Sequence, residues 1–248
     1  MIIQTIGIVG GGVMGSGIAQ SMAVGGARVT IRDVSDEMLA KSRATITDGR
    51  YGLNRGVERG KTTQADADAA LSRLSWTTDV KDFANVDLVI EAVPEDLELK
   101  KKVFAELDGI LKPDAIFATN TSGLSISDIN KAVSEARRPK FAGMHYFSPV
   151  PVMKIVELIH APETADETLA ALEELCTRAG KASVRVKDAP GKYGFVANRI
   201  YFAAVREAQK VLEEGIASAE DINKAMVMGF NWPVGPLAMI EGATKGWQ

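Results

Sequence analysis

The sequence predicts an α/β fold with a mostly parallel, doubly wound sheet, followed by a small all-α domain. Short apolar runs alternate with helix-like stretches over residues 1–188. Such repeated strand–helix units favour parallel strands with helices on both faces. The alternation stops at Ala189-Pro190-Gly191, beyond which the patterns are helical. We therefore expect an α/β domain at residues 1–188 and a helical domain at residues 189–248.

Hydrophobic periodicity gives the individual elements in order. The predicted strands cover residues 2–9, 28–33, 87–92, 115–119, 140–145, 154–159 and 182–186. The predicted helices cover residues 13–24, 64–74, 97–111, 127–133 and 166–179, with another after the capping residue Ser35. Later helices are predicted at 195–214 and after Ser218. A polar, glycine-punctuated stretch at about residues 47–75 is interpreted as a helical insertion that leaves the sheet and returns to it.

Composition argues against several classes of function. The net charge of −3 gives no basic excess for nucleic acid. No apolar run reaches the roughly 20 residues that span a bilayer, and no basic residue precedes Arg28, so we expect neither a membrane span nor a secretion signal. The single cysteine, Cys176, cannot form an intrachain disulfide, which favours a reducing, cytoplasmic location, and its side chain is expected in the core. No metal site is expected.

The segment that follows the first predicted strand carries a dinucleotide-binding pattern. Its glycines fit G-x-G-x-x-G at the start of a helix, and Asp33 ends the next strand eighteen positions later. The residues expected at the cofactor are Gly10, Gly12, Val13, Met14 and Gly15. The Asp33 carboxylate would bind ribose hydroxyls and repel a 2′-phosphate. This predicts a Rossmann-type domain that binds NAD rather than NADP, although the adjacent Arg32 leaves that choice less strict.

Three polar side chains stand in otherwise apolar stretches. His145 ends one predicted strand, Glu157 lies inside the next, and Asn198 begins the long C-terminal helix. A carboxylate in a buried strand costs several kcal/mol unless it is paired. Oxidation of a hydroxyl needs a base, and histidine, with an ordinary pKa of about 6.5, is suited to it. We predict His145 as the base and Glu157 as its partner, while Asn198 or a serine holds the substrate oxygen.

Several segments together resemble one family. They are Gly10–Ala19, Glu91–Asp96, Asn120–Ser125, His145–Glu157, Gly194–Arg199 and Gly215–Ile222. From Ile6 to about Pro236 the sequence resembles the L-3-hydroxyacyl-CoA dehydrogenases. The resemblance implies NAD-dependent interconversion of (S)-3-hydroxyacyl-CoA and 3-oxoacyl-CoA. It implies His145 as base, Glu157 as orienting partner, and Ser122 and Asn198 at the reacting oxygen and thioester. The residues that it places along the cofactor are Ala92, Val93, Glu95, Lys100 and Asn120.

The resemblance also implies that the polar insertion helps to hold CoA. Its cations would be available for the phosphates as charge-assisted contacts, although a solvated charged loop explains them equally well from the residues alone. These cations are Arg50, Arg55, Arg59 and Lys61. Members of the family form homodimers through the C-terminal helical domain, and we expect the same here. Two departures are Ser148, where many members carry asparagine, and a C-terminal domain shorter than is usual.

Two alternatives remain at this point. A dehydrogenase of a free hydroxy acid or sugar acid, similar to gulonate or carnitine dehydrogenase, would keep the His–Glu pair without needing CoA. A non-catalytic NAD(H)-binding protein is the other, and the intact set of Ser122, His145, Glu157 and Asn198 disfavours it. Acyl-chain length and physiological direction do not follow from these residues.

Overall fold

The computed structural model describes residues 2–239 and divides into two compact units, Met1–Phe195 and Val196–Gln248. The first unit contains a sheet covered by helices, and the second is helical. The predicted domain boundary near residue 189 lies a few residues before this division and stays a prediction. Among the described residues, no helix has the length and apolarity to traverse a membrane.

The first unit alternates strands and helices. Its strands are β1 (Thr5–Val9), β2 (Arg28–Arg32), β3 (Leu74–Thr77), β4 (Leu88–Glu91), β5 (Ile116–Thr119), β6 (Phe141–Tyr146), β7 (Ile155–His160) and β8 (Ala182–Lys187). Its α-helices are α1 (Val13–Val24), α2 (Asp36–Asp48), α3 (Leu53–Glu58), α4 (Gln64–Leu71), α5 (Leu97–Asp108), α6 (Ile126–Asn130) and α7 (Asp166–Arg178). Short 3-10 helices lie at Val80–Phe83 and Arg138–Lys140.

The eight strands form one sheet in the order β3-β2-β1-β4-β5-β6-β7-β8. Every neighbouring pair is parallel except β6 and β7. The mostly parallel sheet of the prediction is thereby confirmed. Strands β1, β2, β4, β5 and β6 all end at one edge, and the strand order reverses between β1 and β4. In doubly wound sheets, ligands bind in the crevice at such a reversal.

Local sequence explains how the helices begin next to this edge. The Ser35 hydroxyl accepts a hydrogen bond from the Met38 N–H, so the predicted cap of α2 is confirmed. Asp96 caps α5 in the same way, through the Leu99 N–H. Helix α1 is buried from Gly15 to Ala23, because its small residues allow close packing on the sheet. These contacts fix the loops that follow β1, β2 and β4.

The insertion differs from the prediction at its end. Helix α4 stops at Leu71 rather than at Leu74, and residues Leu74–Thr77 form β3, an edge strand that pairs with β2. This strand was not predicted because it has four residues and is only half-buried, so it carries no continuous apolar run. The polar stretch thus returns to the sheet as a strand as well as through helices.

The β6–β7 pair departs from the simple strand–helix alternation. No helix separates these strands, which allows them to run antiparallel and to lie side by side. Cys176 lies behind this part of the sheet, on α7, and is fully buried as predicted. Burial raises the pKa of its thiol to about 12, so it is a core side chain rather than a nucleophile.

The second unit contains α8 (Ala197–Glu213) and α9 (Ala219–Phe230). Their small core joins Ala208, Ile222 and Leu237. The Ser218 hydroxyl accepts a hydrogen bond from the Asp221 N–H and caps α9, as predicted. Helix α8 therefore lies within the predicted range 195–214, and α9 begins directly after Ser218, as the sequence pattern predicts.

Candidate active site

The glycine-rich turn joins β1 to α1 at the carboxyl edge of the sheet. Gly10 has φ of 101°, a backbone conformation that side chains rarely adopt. A Cβ on Gly15 would clash with the Gly10 carbonyl oxygen, whereas a Cβ on Gly12 would meet no atom within 4 Å. The space beside Gly12 is therefore open at the helix N-terminus, where N–H groups and the helix dipole favour a phosphate. The turn fits a dinucleotide pyrophosphate.

Val13 and Met14 form the first turn of α1. Val13 is 75% exposed and borders the open space, while Met14 packs partly against the main core. Val13 is thus free to contact a cofactor, and Met14 anchors the helix start. Both lie at the position in the fold that the sequence motif indicated.

Asp33 directly follows β2 and is bonded to the glycine turn. Its Oδ2 accepts a hydrogen bond of 2.6 Å from the Gly11 N–H, and its Oδ1 accepts one of 2.6 Å from the Val34 N–H. A carboxylate has about four acceptor positions, so two remain for ribose hydroxyls. The neighbouring Arg32 donates through Nε to the Thr78 carbonyl at 3.4 Å, which ties it to the edge of the sheet.

The loop after β4 and the turn after β5 meet at the same edge. Ala92 and Val93 follow β4 directly, next to the glycine turn, since the Ala92 N–H donates to the Val9 carbonyl at 2.8 Å. Glu95 Oε1 accepts hydrogen bonds from Thr121 Oγ1 at 2.6 Å and from the Ser122 N–H at 2.8 Å. Glu95 therefore fixes the backbone that carries Ser122.

Asn120 connects this turn to the strand of His145. Its side chain is buried, and its Oδ1 accepts a hydrogen bond of 3.0 Å from the Tyr146 N–H. Tyr146 is the residue after His145. The cofactor-side turn and the predicted base are therefore held together by one side chain.

Lys100, which is predicted along the cofactor, is buried between two carboxylates. The side chain is 1% exposed, and its Nζ lies 2.6 Å from Glu91 Oε1 and 3.3 Å from Glu95 Oε2. Its ammonium is committed to these two carboxylates. Glu91 was absent from the sequence-based prediction, although a carboxylate inside an apolar run is the same signal that singled out Glu157.

His145 and Glu157 form a buried pair on adjacent strands. The antiparallel register places them directly opposite each other, and His145 Nδ1 lies 2.8 Å from Glu157 Oε2. The two residues are 3% and 2% exposed. The rings of Phe147 and Phe195 flank the imidazole at centroid distances of 4.5 and 5.7 Å. In such an apolar setting a hydrogen bond to an ionised group is strengthened.

A basic cavity of about 500 Å³ opens beside the insertion. The four predicted cations line it together with Lys154, from the loop between β6 and β7. The four are Arg50, Arg55, Arg59 and Lys61. Sequence reasoning missed Lys154, because its proximity to the insertion depends on where the β6–β7 loop folds. The same loop leads into the strand of Glu157, so this cavity and the His–Glu pair share a structural element.

Asn198, the remaining predicted site residue, belongs to the second unit. It lies in the first turn of α8, which begins at Ala197. The residues that the first unit brings to one edge of the sheet are the glycine turn, Asp33, Glu95 and the Ser122 turn, and the His145–Glu157 pair.

Two family models match the chain. One, described as 3-hydroxyacyl-CoA dehydrogenase, NAD binding domain, covers residues 5–189, and the other, 3-hydroxyacyl-CoA dehydrogenase, C-terminal domain, covers residues 194–247. The chain belongs to the 3-hydroxyacyl-CoA dehydrogenase family. As a 3-hydroxyacyl-CoA dehydrogenase family member it is an NAD-dependent oxidoreductase, and the open glycine turn with Asp33 fits that cofactor.

Members of the family resemble the chain over most of their length. The mitochondrial hydroxyacyl-coenzyme A dehydrogenase of Rattus norvegicus is 38% identical over 244 residues, covering 97% of this chain and 76% of that protein. The 3-hydroxybutyryl-CoA dehydrogenase of Clostridioides difficile is 41% identical over 234 residues, with coverages of 94% and 80%. The crystal structure of (S)-3-hydroxybutyryl-CoA dehydrogenase from Ralstonia eutropha matches with a TM-score of 0.90 at 44% identity, covering 96% of this chain and 81% of that one.

Proposed function

We propose that this protein interconverts (S)-3-hydroxyacyl-CoA and 3-oxoacyl-CoA with His145 as the general base, oriented by Glu157. The observation that carries the proposal is the buried 2.8 Å contact between His145 Nδ1 and Glu157 Oε2, on strands adjoining the dinucleotide edge. A buried histidine paired with a buried carboxylate is the usual device for proton transfer near neutral pH.

The path of the proton in this proposal follows from the His145–Glu157 geometry. Glu157 holds the proton of His145 on Nδ1, so the other ring nitrogen, Nε2, is left as the acceptor. In oxidation, Nε2 takes the proton of the 3-hydroxyl, and the Glu157 carboxylate stabilises the imidazolium that results. In reduction the same nitrogen returns the proton. A bound nicotinamide cofactor would take up the C3 hydride as NAD⁺ in oxidation and would provide it as NADH in reduction.

Ser122 and Asn198 are proposed to bind the reacting oxygen and the thioester region. Support for Ser122 comes from the position of its backbone. The Ser122 N–H donates a hydrogen bond of 2.8 Å to Glu95 Oε1 on the cofactor side. A hydroxyl held on a fixed backbone loses little freedom when it binds the substrate oxygen, which lowers the barrier by orientation. Asn198 offers an amide that donates and accepts.

The CoA portion is proposed to bind in the basic cavity. Arg50, Arg55, Arg59, Lys61 and Lys154 line one space of about 500 Å³. Cations that converge on one concave space favour a phosphate ligand over a merely solvated loop, because guanidinium and ammonium groups bind phosphate through charge-assisted hydrogen bonds. This arrangement supports an acyl-CoA over a free hydroxy acid or sugar acid.

A homodimer through the helical domain and a cytoplasmic location complete the proposal. Several large apolar side chains of α8 and α9 are exposed in the isolated chain, and pairing of two copies would bury them. They include Ile200, Phe202, Met228 and Phe230. Sedimentation velocity of the purified protein tests the proposed homodimer. We expect a dimer, and a monomer at micromolar concentration would contradict the proposal.

The substrate assignment is tested by comparing CoA esters with free acids. We expect NAD reduction with (S)-3-hydroxybutyryl-CoA and NADH oxidation with acetoacetyl-CoA, and negligible turnover of free 3-hydroxybutyrate. Parallel assays with NADPH and with longer 3-oxoacyl-CoAs define the cofactor choice and chain length. Activity confined to free acids would support the gulonate- or carnitine-type alternative. Binding of NADH without turnover of any substrate would support the non-catalytic one.

A further inference from the structure

A second buried carboxylate lies near the cofactor edge, outside the His–Glu pair. Glu91 is the last residue of β4 and is fully buried. Its Oε1 accepts hydrogen bonds from Lys100 Nζ at 2.6 Å and from the Val93 N–H at 2.7 Å, and its Oε2 accepts one from Thr119 Oγ1 at 2.6 Å. Glu91 thus joins the ends of β4 and β5 to helix α5.

The contacts continue from Glu91 to the substrate side. Lys100 Nζ, itself buried, also donates to the Val93 carbonyl at 3.2 Å and lies 3.3 Å from Glu95 Oε2. The other oxygen of Glu95 accepts the Ser122 N–H at 2.8 Å. An unbroken series of charged contacts therefore runs from Glu91 through Lys100 and Glu95 to the Ser122 backbone.

As a purely structural feature, this buried ion network would be unfavourable for the free energy of folding. Burying a carboxylate and an ammonium removes both ions from water, which opposes folding, and well-packed apolar residues often serve stability as well or better. Burial raises the pKa of the Glu91 carboxyl, and the Lys100 ammonium opposes that rise. Without the negative charge of Glu91, the Lys100 ammonium would pair more strongly with the Glu95 carboxylate. Glu95 would then move away from the Ser122 N–H.

We propose that Glu91 is a positioning residue for the dehydrogenase reaction, which acts through Lys100 and Glu95 to fix the Ser122 turn. The inference rests on the role proposed above for Ser122. It predicts that neutralising Glu91 lowers kcat more than it weakens binding of NADH, because a misplaced hydroxyl loses orientation at the reacting oxygen while the pyrophosphate turn is untouched.

The test uses Glu91→Gln, which keeps the size of the side chain, removes its charge and replaces one of its two acceptor oxygens with an amide N–H₂ donor. We expect kcat with acetoacetyl-CoA to fall roughly tenfold or more, and Kd for NADH to change by a smaller factor. Asp87→Asn is the matched control, since Asp87 immediately precedes β4 and also pairs with a lysine, Lys112 at 2.6 Å. It should lower stability and leave kcat unchanged.

A double-mutant cycle with Ser122→Ala separates positioning from general loss of structure. If Glu91 acts through Ser122, Glu91→Gln should cost little further activity once the hydroxyl is gone. Full additivity of the two losses would overturn the inference while leaving the proposed function intact. A Ser122→Ala variant with wild-type kinetics would instead refute the proposed role of Ser122.

Thr119→Val provides a second route if Glu91→Gln does not fold. It removes the hydroxyl that donates to Glu91 Oε2 and preserves the shape of the side chain. We expect a smaller loss of kcat that again vanishes in the Ser122→Ala background. A loss that persists unchanged in that background would contradict the inference.

Discussion

His145 and Glu157 face each other across two antiparallel strands, with Nδ1 of the imidazole 2.8 Å from Oε2 of the carboxylate. The strands belong to a sheet that is otherwise parallel, and β6 ends at the same edge as the glycine turn. The antiparallel pairing lets a residue on the outgoing strand orient a residue on the strand that reaches the cofactor edge. The proposed fixing of the His145 tautomer would therefore depend on the backbone register as much as on the two side chains.

Replacing Glu157 tests that orientation. Glu157→Gln keeps a side chain of the same size but cannot stabilise the imidazolium, so kcat should fall by roughly 10²- to 10⁴-fold with a much smaller change in KM for NADH. Steady-state reduction of acetoacetyl-CoA measures it. His160→Gln, at the end of the same strand β7, is the matched control and should retain wild-type kcat. Equal kinetics of the two variants would rule out the orienting role.

Asp33 should determine the choice of cofactor. Asp33→Asn removes the charge that favours ribose hydroxyls, and hydrogen bonds to charged groups are worth about 1.5–3 kcal/mol, so KM for NADH should rise by roughly tenfold or more. Discrimination against NADPH should weaken at the same time. Asp36→Asn, an exposed carboxylate three residues along, makes the same change in charge without this effect. Unchanged ratios of kcat/KM for NADH and NADPH in Asp33→Asn would count against the assignment.

The basic cavity should bind the CoA phosphates. Arg55→Ala/Arg59→Ala should raise KM for acetoacetyl-CoA by roughly tenfold and leave KM for NADH unchanged, because these cations line the cavity and lie outside the glycine turn. The wild-type KM for the CoA ester should also rise with salt, and less so in the variant. Lys41→Ala/Lys131→Ala, with the same loss of charge on other surfaces, serves as the control. Identical responses of the two double variants would favour a solvated loop.

Asp87 should make stability depend on pH in the acid range. Burial raises the pKa of Asp87, but hydrogen bonds from Lys112 and from the N–H groups of Gln4 and Thr5 outweigh it and lower the pKa from 3.8 to about 2. A lowered folded-state pKa gives stability that is complete above pH 4 and is lost as pH falls toward 2, worth at most about 2 kcal/mol. Asp87→Asn should therefore be less stable than wild type at pH 7, and the difference should shrink below pH 4. Urea unfolding at several pH values measures it, and a constant difference would contradict the account.

The local parts of the site could be predicted from sequence, and the parts that depend on register could not. Gly10, Gly15 and Asp33 fall within one strand–turn–helix–strand unit, so their meeting follows from local geometry. Chemical reasoning pairs His145 with Glu157, because each is a polar group in an apolar run. Their direct opposition depends on the β6–β7 loop, whose conformation no periodicity encodes.

Two other features show where the sequence signal ends. Strand β3 was missed because an edge strand of four half-buried residues has no distinctive pattern. Glu91 carried the same signal as Glu157, a carboxylate in an apolar strand, yet its partner Lys100 lies on a helix with several lysines and gives no sign of being buried. Tertiary packing, rather than the composition of α5, selects Lys100 from that run.

The most direct test of the account is hydride transfer by His145→Gln. Acetoacetyl-CoA is mixed with enzyme pre-bound to NADH, and NADH absorbance is followed in a single turnover. We predict that the rate falls by at least roughly 10²-fold while NADH binding is retained, since the variant keeps the glycine turn and Asp33 but has no group to move the proton. Hydride transfer at the wild-type rate in His145→Gln would contradict the central claim that His145, held by Glu157, is the catalytic base.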